Sequence, residues 1–263
     1  MGYKKFQPTI ELRHCCKEYE DERQVQKTLG VDILLEIINY ESISDKIVYR
    51  LISQKLNKER LKNMPHTIVE DLAKIYILPI NYNIEDTAFI LITDSLMKEW
   101  KVNLKELNGK ADINTPNLFP PSIKGMNEVI RELMDNDFTE YTEAKKSFPK
   151  NLDKDFIKLL KRERREETMY VLSNTNGING AGALLYPGIL RDLTISMNLE
   201  RLYILPSSIH EVILLPGKKS FDKKTLKDIV MDVNRSQVST DEILSDEVYY
   251  YDLKTDGITI LEK

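Results

Sequence analysis

The amino-acid sequence predicts an α+β protein in which a mostly antiparallel sheet is flanked by helices. Two observations indicate this fold class. Apolar runs of strand length occur in pairs that are separated by turn-forming residues, which is typical of hairpins. Segments with helical spacing occur in blocks and do not alternate with single strands, which argues against a parallel sheet. We expect the 263 residues to form one compact unit.

Residues 1–66 are predicted to hold one strand and two helices. Residues 8–12 alternate as a strand does, and residues 17–40 carry apolar side chains at helical spacing, with an interruption near Gly30. Ser44 can cap a second helix. The apolar stripe of that helix would consist of Ile47, Val48, Leu51, Ile52 and Leu56.

Residues 67–135 are predicted to form a first hairpin-helix module. Two apolar runs, 75–78 and 88–92, flank a segment that is rich in turn-forming residues, so we expect a hairpin there. A short helix is expected to follow at 95–100.

Residues 136–167 are predicted to form a charged helix that connects the first module to a second one. Basic and acidic side chains alternate in its last seven residues, 161–167. This mixture is typical of a solvated helix face, and it argues against a basic patch that binds nucleic acid.

Residues 168–263 are predicted to form the second hairpin-helix module. Its apolar runs, 169–172 and 181–186, again flank a turn-rich segment, and a short helix is expected at 189–193. The order of elements therefore matches that of the first module.

An ungapped alignment of the two modules brings several identical residues into register. These pairs include Tyr76 with Tyr170, Leu78 with Leu172 and Leu91 with Leu185. The similarity predicts an internal repeat in which residues 75–100 and 169–194 share one backbone trace. A chance similarity between two buried hairpins is the alternative.

The remainder of the second module is predicted to add three strands and two helices. Strands are expected at 202–205 and 212–215, where each run ends at a proline, and at 248–251. Asp222 and Ser239 each stand where they can cap a helix, and Ser239 opens a capping box.

Charge and composition exclude several classes of protein. The 38 basic and 42 acidic residues leave a net charge of −4, so nonspecific attraction to nucleic acid is not expected. The longest uncharged stretch, 168–190, holds three asparagines, four glycines and a proline, so we do not expect it to span a membrane. Cys15 and Cys16 are adjacent and provide no disulfide framework. We expect a cytoplasmic protein whose partner, if it has one, is an unknown protein.

No motif predicts a cofactor or a metal ion. His210-Glu211 begins like the helix of a zinc protease, but Leu214 stands where the second histidine ligand would be. The histidine and two cysteines at 14–16 lack the spacing of metal ligands. An apolar run follows the glycines near Gly180, whereas a phosphate site would need the start of a helix there.

The segment Ser207–Glu211 combines the residue types of a nucleophile, a base and an acid. On a strand, however, Ser208 and His210 lie about 6.6 Å apart along the axis, too far for direct proton transfer. Two interpretations stay open. The segment is either a structural turn with a partly buried His210, or it is a site for a ligand or partner. If the strands pair, Asn174, Tyr186 and Arg191 would lie nearby and complete that candidate site of Ser207, Ser208, His210 and Glu211.

Two stretches of the chain resemble an uncharacterised bacterial family, found mainly in Firmicutes and known only as a domain of unknown function. They are Asn179-Gly180-Ala181 with Leu184-Leu185-Tyr186-Pro187-Gly188, and Leu205-Pro206-Ser207-Ser208-Ile209-His210-Glu211-Val212. Shorter stretches elsewhere are similar to the same family: Asp71-Leu72-Ala73, Asn114-Thr115-Pro116, Phe119-Pro120, Val233-Asn234, Leu244-Ser245-Asp246 and Tyr249. No activity, cofactor or catalytic residue is established for that family, so the resemblance implies a fold and not a function.

Compared with that family, the chain looks shortened at its N-terminus. Members of the family usually begin with a further strand and helix before the segment that matches residues 8–10. We therefore expect the strand near Thr9 to lie at a sheet edge, where it could pair with another chain.

The leading functional prediction is a non-catalytic interaction or regulatory module, because no group of residues in the sequence has the spacing that a catalytic site requires. The alternative is a hydrolase-like or small-ligand-binding protein that uses the segment Ser207–Glu211. The sequence leans against an enzyme.

Overall fold

A computed structural model places five segments of the chain in detail. It describes residues 10–13, 39–83, 86–130, 169–217 and 222–261. The helix predicted over 17–40, the charged helix predicted over 136–167 and the cluster at 14–16 lie outside the described residues.

The chain divides into two compact units, each built from separate stretches of sequence. The first comprises Met1–Tyr49, Asn57–Thr67 and Lys74–Leu118. The second comprises Arg50–Leu56, Ile68–Ala73 and Phe119–Lys263.

The first sheet has five strands in the order β1-β5-β4-β2, and β3 pairs with β4 off this path. The strands are β1 (Ile10–Arg13), β2 (Val48–Ser53), β3 (His66–Val69), β4 (Leu72–Asn83) and β5 (Asp86–Leu91). The antiparallel pair β4–β5 confirms the first predicted hairpin. β1 stands at one end of the strand order, as expected of the strand near Thr9.

Up to residue 118, four helices accompany the strands in the part of the chain that the structure describes. They are α1 (Tyr40–Ile43), α2 (Lys58–Leu61), α3 (Asp94–Trp100) and α4 (Leu104–Leu118). Helix α3 confirms the helix that was predicted to follow the first hairpin. Its N-terminus is capped by Thr93, whose side chain accepts a hydrogen bond from Leu96 N.

The helix predicted after Ser44 was wrong, because strand β2 occupies that position. All six residues of β2 are buried, so the strand shows no alternation of polar and apolar side chains. A short apolar run of this kind cannot be distinguished from a helix by its spacing. The β-branched residues Ile47, Val48 and Ile52 favour the extended conformation that the structure shows.

Helix α4 was not predicted, and the Asn114-Thr115-Pro116 motif lies near its C-terminal end. Asn114 Nδ2 donates hydrogen bonds to the carbonyl oxygens of Ser44, at 2.8 Å, and Ile47, at 2.9 Å. Thr115 Oγ1 accepts from Tyr49 N at 3.0 Å. The motif therefore attaches the helix to the start of β2.

The second sheet has six strands in the order β11-β10-β8-β9-β7-β6, and every neighbouring pair is antiparallel. The strands are β6 (Pro121–Gly125), β7 (Tyr170–Asn174), β8 (Arg201–Ser208), β9 (Glu211–Pro216), β10 (Tyr249–Asp252) and β11 (Gly257–Ile260). Strands β8, β9 and β10 confirm three predicted strands, whereas β6 and β11 were not predicted. Together the two sheets confirm the predicted α+β class.

Helices α5 (Ile189–Ser196) and α6 (Lys223–Gln237) lie in the same region of the chain. Helix α5 confirms the helix predicted near 189–193. Helix α6 begins as predicted, because the Asp222 side chain accepts a hydrogen bond from Thr225 N at 2.9 Å. Among the described residues, no helix combines the length and the apolar character that crossing a bilayer requires.

The second predicted hairpin does not form. Residues Gly180–Leu185 make a 3-10 helix, although the aligned residues of the first module form strand β5. Both sides of β7 are already paired, with β6 and with β9, so no edge is left for a further strand. The expectation that the two segments share one backbone trace was therefore wrong.

The short helix predicted after Ser239 is only a turn. Glu242 N donates a hydrogen bond to Ser239 O at 2.8 Å, which closes that turn. A longer helix would need the carbonyl group of Glu242 for its own next turn, but this group accepts from Ile209 N at 2.9 Å. The capping box is present without the helix.

Candidate functional site

The His210 turn, residues 207–211, connects strands β8 and β9. β8 does not end at Pro206, as the sequence predicted, but continues to Ser208 through a shift of register. Ser208, His210 and Glu211 are each less than one tenth exposed. The turn is therefore a buried polar segment.

Both ring nitrogens of His210 are used within the protein. Nδ1 lies 3.1 Å from the backbone nitrogen of Asn179, and a backbone N–H group can only donate. Nδ1 is therefore the acceptor, and the ring proton belongs on Nε2, which lies 3.2 Å from Oε1 of Glu242. The imidazole ring bridges the Asn179 loop and the turn that contains Glu242.

Hydrogen bonds also hold the backbone of the turn. His210 N donates to Ser208 Oγ at 3.0 Å, and His210 O accepts from Ser173 Oγ at 2.8 Å. Ile209 N donates to the carbonyl oxygen of Glu242. Side chains and backbone groups thus attach the turn to β7 and to the segment near residue 242.

Glu211 is buried with a single long hydrogen bond. Ser207 Oγ donates to its Oε1 at 3.3 Å. Burial raises the pKa of Glu211 to about 7, and the hydrogen bond from Ser207 opposes this only in part. A carboxyl group that changes protonation near neutral pH is one mark of a functional site.

Gly180 brings the Asn-Gly-Ala stretch into direct contact with the His210 turn. A Cβ atom at Gly180 would lie 2.1 Å from Ser173 Oγ and 2.5 Å from His210 O, so no other residue fits without a shift of the backbone. The two longer stretches of the resemblance are therefore adjacent in the fold.

Asn174 and Asn179 flank the loop that precedes Gly180. Asn174 Nδ2 donates to Ile178 O at 2.8 Å, and its Oδ1 accepts from Asn176 N at 3.1 Å. Asn174 therefore shapes the loop. Asn179 is buried as well, but neither its Oδ1 nor its Nδ2 has a hydrogen-bond partner.

The contacts shown for Tyr186 and Arg191 are made away from the turn. Tyr186 Oη donates to Phe119 O at 2.7 Å, and burial raises its pKa to about 12. Arg191 is half exposed, and its guanidinium group lies 3.6 Å from a carboxylate oxygen of Asp256. These two residues were predicted to lie near the turn, and these contacts join them to Phe119 and Asp256.

Sequence reasoning missed Ser173, Asn179 and Glu242 as members of the site. Glu242 was assigned to a capping box, and it lies 32 residues from the histidine that it contacts. Asn179 was recognised as part of the family-like stretch, but a loop of unknown path gave no reason to place it against His210.

The arrangement contains no complete catalytic set. A serine nucleophile needs a base that can take its proton, and the ring nitrogens of His210 are both engaged. Ser207 does donate to Glu211, so the turn contains one described contact between a hydroxyl group and an acid. In the described part of the chain, no group of three or more histidine, cysteine or acidic side chains could hold a metal ion.

A second polar group, the Asp71 cluster, lies in the same compact unit and consists of the partly exposed Asp71 and the buried residues Asn234, Ser245 and Tyr249. The Asp71 carboxylate accepts hydrogen bonds from Ser245 Oγ, at 2.7 Å, and from Tyr249 Oη. Asn234 Nδ2 donates to Ser245 O at 3.0 Å and to Asp246 Oδ1 at 2.9 Å. These residues belong to the shorter family-like stretches, and they hold the segment before β10 in place.

Comparisons with known proteins give one match. No curated protein and no solved structure matches the chain. The model of a family of unknown function, DUF5688, matches residues 2–253, which is nearly the whole chain. The predicted resemblance to a domain of unknown function is thereby confirmed, and the chain belongs to the DUF5688 family.

Proposed function

We propose that this protein is a non-catalytic interaction or regulatory module of the cytoplasm. The observation that carries the proposal is the hydrogen bonding of His210. The strongest candidate base at the turn accepts from a backbone N–H group and donates to Glu242, so its two nitrogens serve the fold. A general base must instead have a lone pair directed at the group that it deprotonates.

A fluorophosphonate probe tests the absence of catalysis, because it reacts with activated serines. We expect neither Ser207 nor Ser208 to be labelled in the full chain. A serine hydrolase treated in parallel shows that the probe is active. Stoichiometric labelling that disappears in Ser207→Ala or Ser208→Ala would refute the proposal.

The interaction role is tested by chemical cross-linking in the native host, followed by mass spectrometry. We expect reproducible cross-links between this chain and one other protein. A chain that stays uncross-linked, and elutes at the size of a free monomer from native extract, would contradict an interaction role.

Binding of a small ligand at the His210 turn is the second candidate function. Two buried polar groups favour it, because they lack the partners that a purely structural turn would provide. One is the Asn179 amide, which has no hydrogen bond, and the other is the Glu211 carboxyl group, which has one long bond. Unpaired buried groups are rare in folded proteins.

A further inference from the structure

Asn174 and Asn179 are equally buried but differ in their hydrogen bonding. Asn174 is 5% exposed, and both ends of its amide are paired. Asn179 is 7% exposed, and both ends of its amide are unpaired. Each unpaired buried donor or acceptor lowers the stability of a fold, so the side chain of Asn179 requires a reason.

Backbone conformation does not supply that reason. Asn179 has a φ of 55°, in the left-handed region that asparagine and glycine adopt most readily. Glycine would satisfy the same φ without burying an amide. Asn198 has nearly the same φ, 53°, but it is exposed, so water can solvate its side chain.

The surroundings of Asn179 limit the charge of a possible ligand. Its backbone N–H donates to His210, which contacts Glu242, and the next residue of the turn is the buried Glu211. The acidic side chains at this position disfavour an anion. An amide side chain offers one donor and one acceptor side by side, and its best complement is another amide group.

We infer that Asn179 binds an uncharged ligand through an amide group. Asn179 Nδ2 would donate to the carbonyl oxygen of the ligand, and Oδ1 would accept from its N–H. Both unpaired atoms would then be satisfied. Because they are buried, the surrounding segment must open locally before the ligand can reach them. The inference rests on the second candidate function and adds the chemical class of the ligand.

Benzamide and benzoate are matched probes for this site, because they differ only in the replacement of an amide by a carboxylate. We expect benzamide to raise the Tm of the full chain in a concentration-dependent manner and benzoate to leave it unchanged. Dialanine with blocked ends tests for the main-chain amide of a peptide. A shift with dialanine but not with benzamide indicates a peptide, and the reverse indicates a free carboxamide. No shift with either probe overturns the inference.

Asn179→Leu replaces the amide with an apolar group of the same branching, and Asn198→Leu introduces the same backbone strain at an exposed position. We expect Asn179→Leu to melt at a higher temperature than Asn198→Leu, because it also removes an unpaired amide. Its affinity for the active probe should fall about tenfold or more, as loss of a hydrogen-bonded pair predicts, while Asn198→Leu binds normally. A lower Tm in Asn179→Leu, or undiminished binding, overturns the inference.

Asn179→Gly covers the case in which the leucine variant does not fold. It keeps the left-handed conformation and removes the amide, so the same loss of probe binding is expected. The outcome is independent of the fluorophosphonate experiment. If neither amide probe shifts the Tm and the serines stay unlabelled, the amide site is refuted and the non-catalytic function stands.

Discussion

The His210 turn and the Asp71 cluster each hold a carboxyl group in the same compact unit, but the two groups differ in burial and in hydrogen bonding. The Asp71 carboxylate accepts hydrogen bonds from two hydroxyl groups. Glu211 accepts one, at 3.3 Å, and burial raises its pKa to about 7. A carboxyl group is accommodated more readily where hydroxyl donors surround it. The Asp71 cluster has the character of a structural connection, and the His210 turn keeps polar groups available for binding.

The largest effect is expected from Asp71→Ala. The change leaves the hydroxyl groups of Ser245 and Tyr249 buried without their acceptor, and should lower the free energy of unfolding by about 3–5 kcal/mol. Urea unfolding measures the loss. Asp228→Ala, at an exposed position on α6, is the control and should stay within about 0.5 kcal/mol of wild type. Equal stabilities of the two variants would mean that the cluster contributes nothing.

Glu211→Gln should raise the free energy of unfolding, and the size of this increase should depend on pH. Because the pKa of Glu211 is raised from 4.5 to about 7, the folded protein keeps a proton that the unfolded chain releases between these values. Wild type therefore loses stability as the pH rises through this range, and the glutamine variant does not. The variant should be more stable by about 3 kcal/mol at about pH 8, with little difference below about pH 4.5.

Unfolding of both proteins in urea across this pH range measures the effect. Glu200→Gln, at an exposed position, should reproduce the wild-type profile. A constant difference between wild type and Glu211→Gln would show that Glu211 stays ionised in the folded protein, and the contrast with Asp71 would then disappear.

His210→Ala should lower the free energy of unfolding by about 1–3 kcal/mol, because it removes the partners of Asn179 N–H and Glu242. A thermal melt measures the loss. His66→Ala is the control. His66 is half-buried, and its Nδ1 contacts the carbonyl oxygen of Met64 at 2.7 Å, a local bond within two residues.

The His66 control should lose less than about 1 kcal/mol, because its ring is partly exposed and makes only this one local bond among those described. The two histidines also differ in the nitrogen that carries the proton, Nδ1 in His66 and Nε2 in His210, which nitrogen-15 NMR distinguishes. An unchanged melt for His210→Ala, or the same tautomer in both rings, would reduce the turn to an ordinary surface loop.

The smallest effect is expected from Ser207→Ala, and Ser245→Ala is its matched partner. Each serine donates to a carboxyl group, Ser245 to Asp71 at 2.7 Å and Ser207 to Glu211 at 3.3 Å. Chemical unfolding should show a loss of about 1.5–3 kcal/mol for Ser245→Ala and about 0.5 kcal/mol for Ser207→Ala. Equal losses would show that the two carboxyl groups are held alike.

The sequence predicted those elements whose signals are local. The β4–β5 hairpin, the cap at Asp222 and the pair β8–β9 each depend on residues that are neighbours along the chain. Strand β2 was misassigned because burial on both faces removes the alternation that marks a strand. The 3-10 helix was missed because the pairing of β7 on both sides is a property of the whole sheet.

The residues of the candidate site divide in the same way, into those that are neighbours along the chain and those that only the fold brings together. Ser207, Ser208, His210 and Glu211 were recognised because they are contiguous. Glu242 reaches His210 only through the tertiary fold. The lack of a partner for Asn179 is not a feature of the sequence at all, since any asparagine beside a glycine reads as a turn.

The link between Asp71 and Tyr249 also affects the order in which the chain can complete its fold during synthesis. The two residues are 178 positions apart. A nascent chain has made Asp71 long before the ribosome adds Ser245 and Tyr249, so the carboxylate must remain hydrated until then. Contacts this distant in sequence close late and slow folding. A chain that stops short of Ser245 leaves Asp71 without either hydroxyl donor, so completion of the unit depends on the arrival of its last strands.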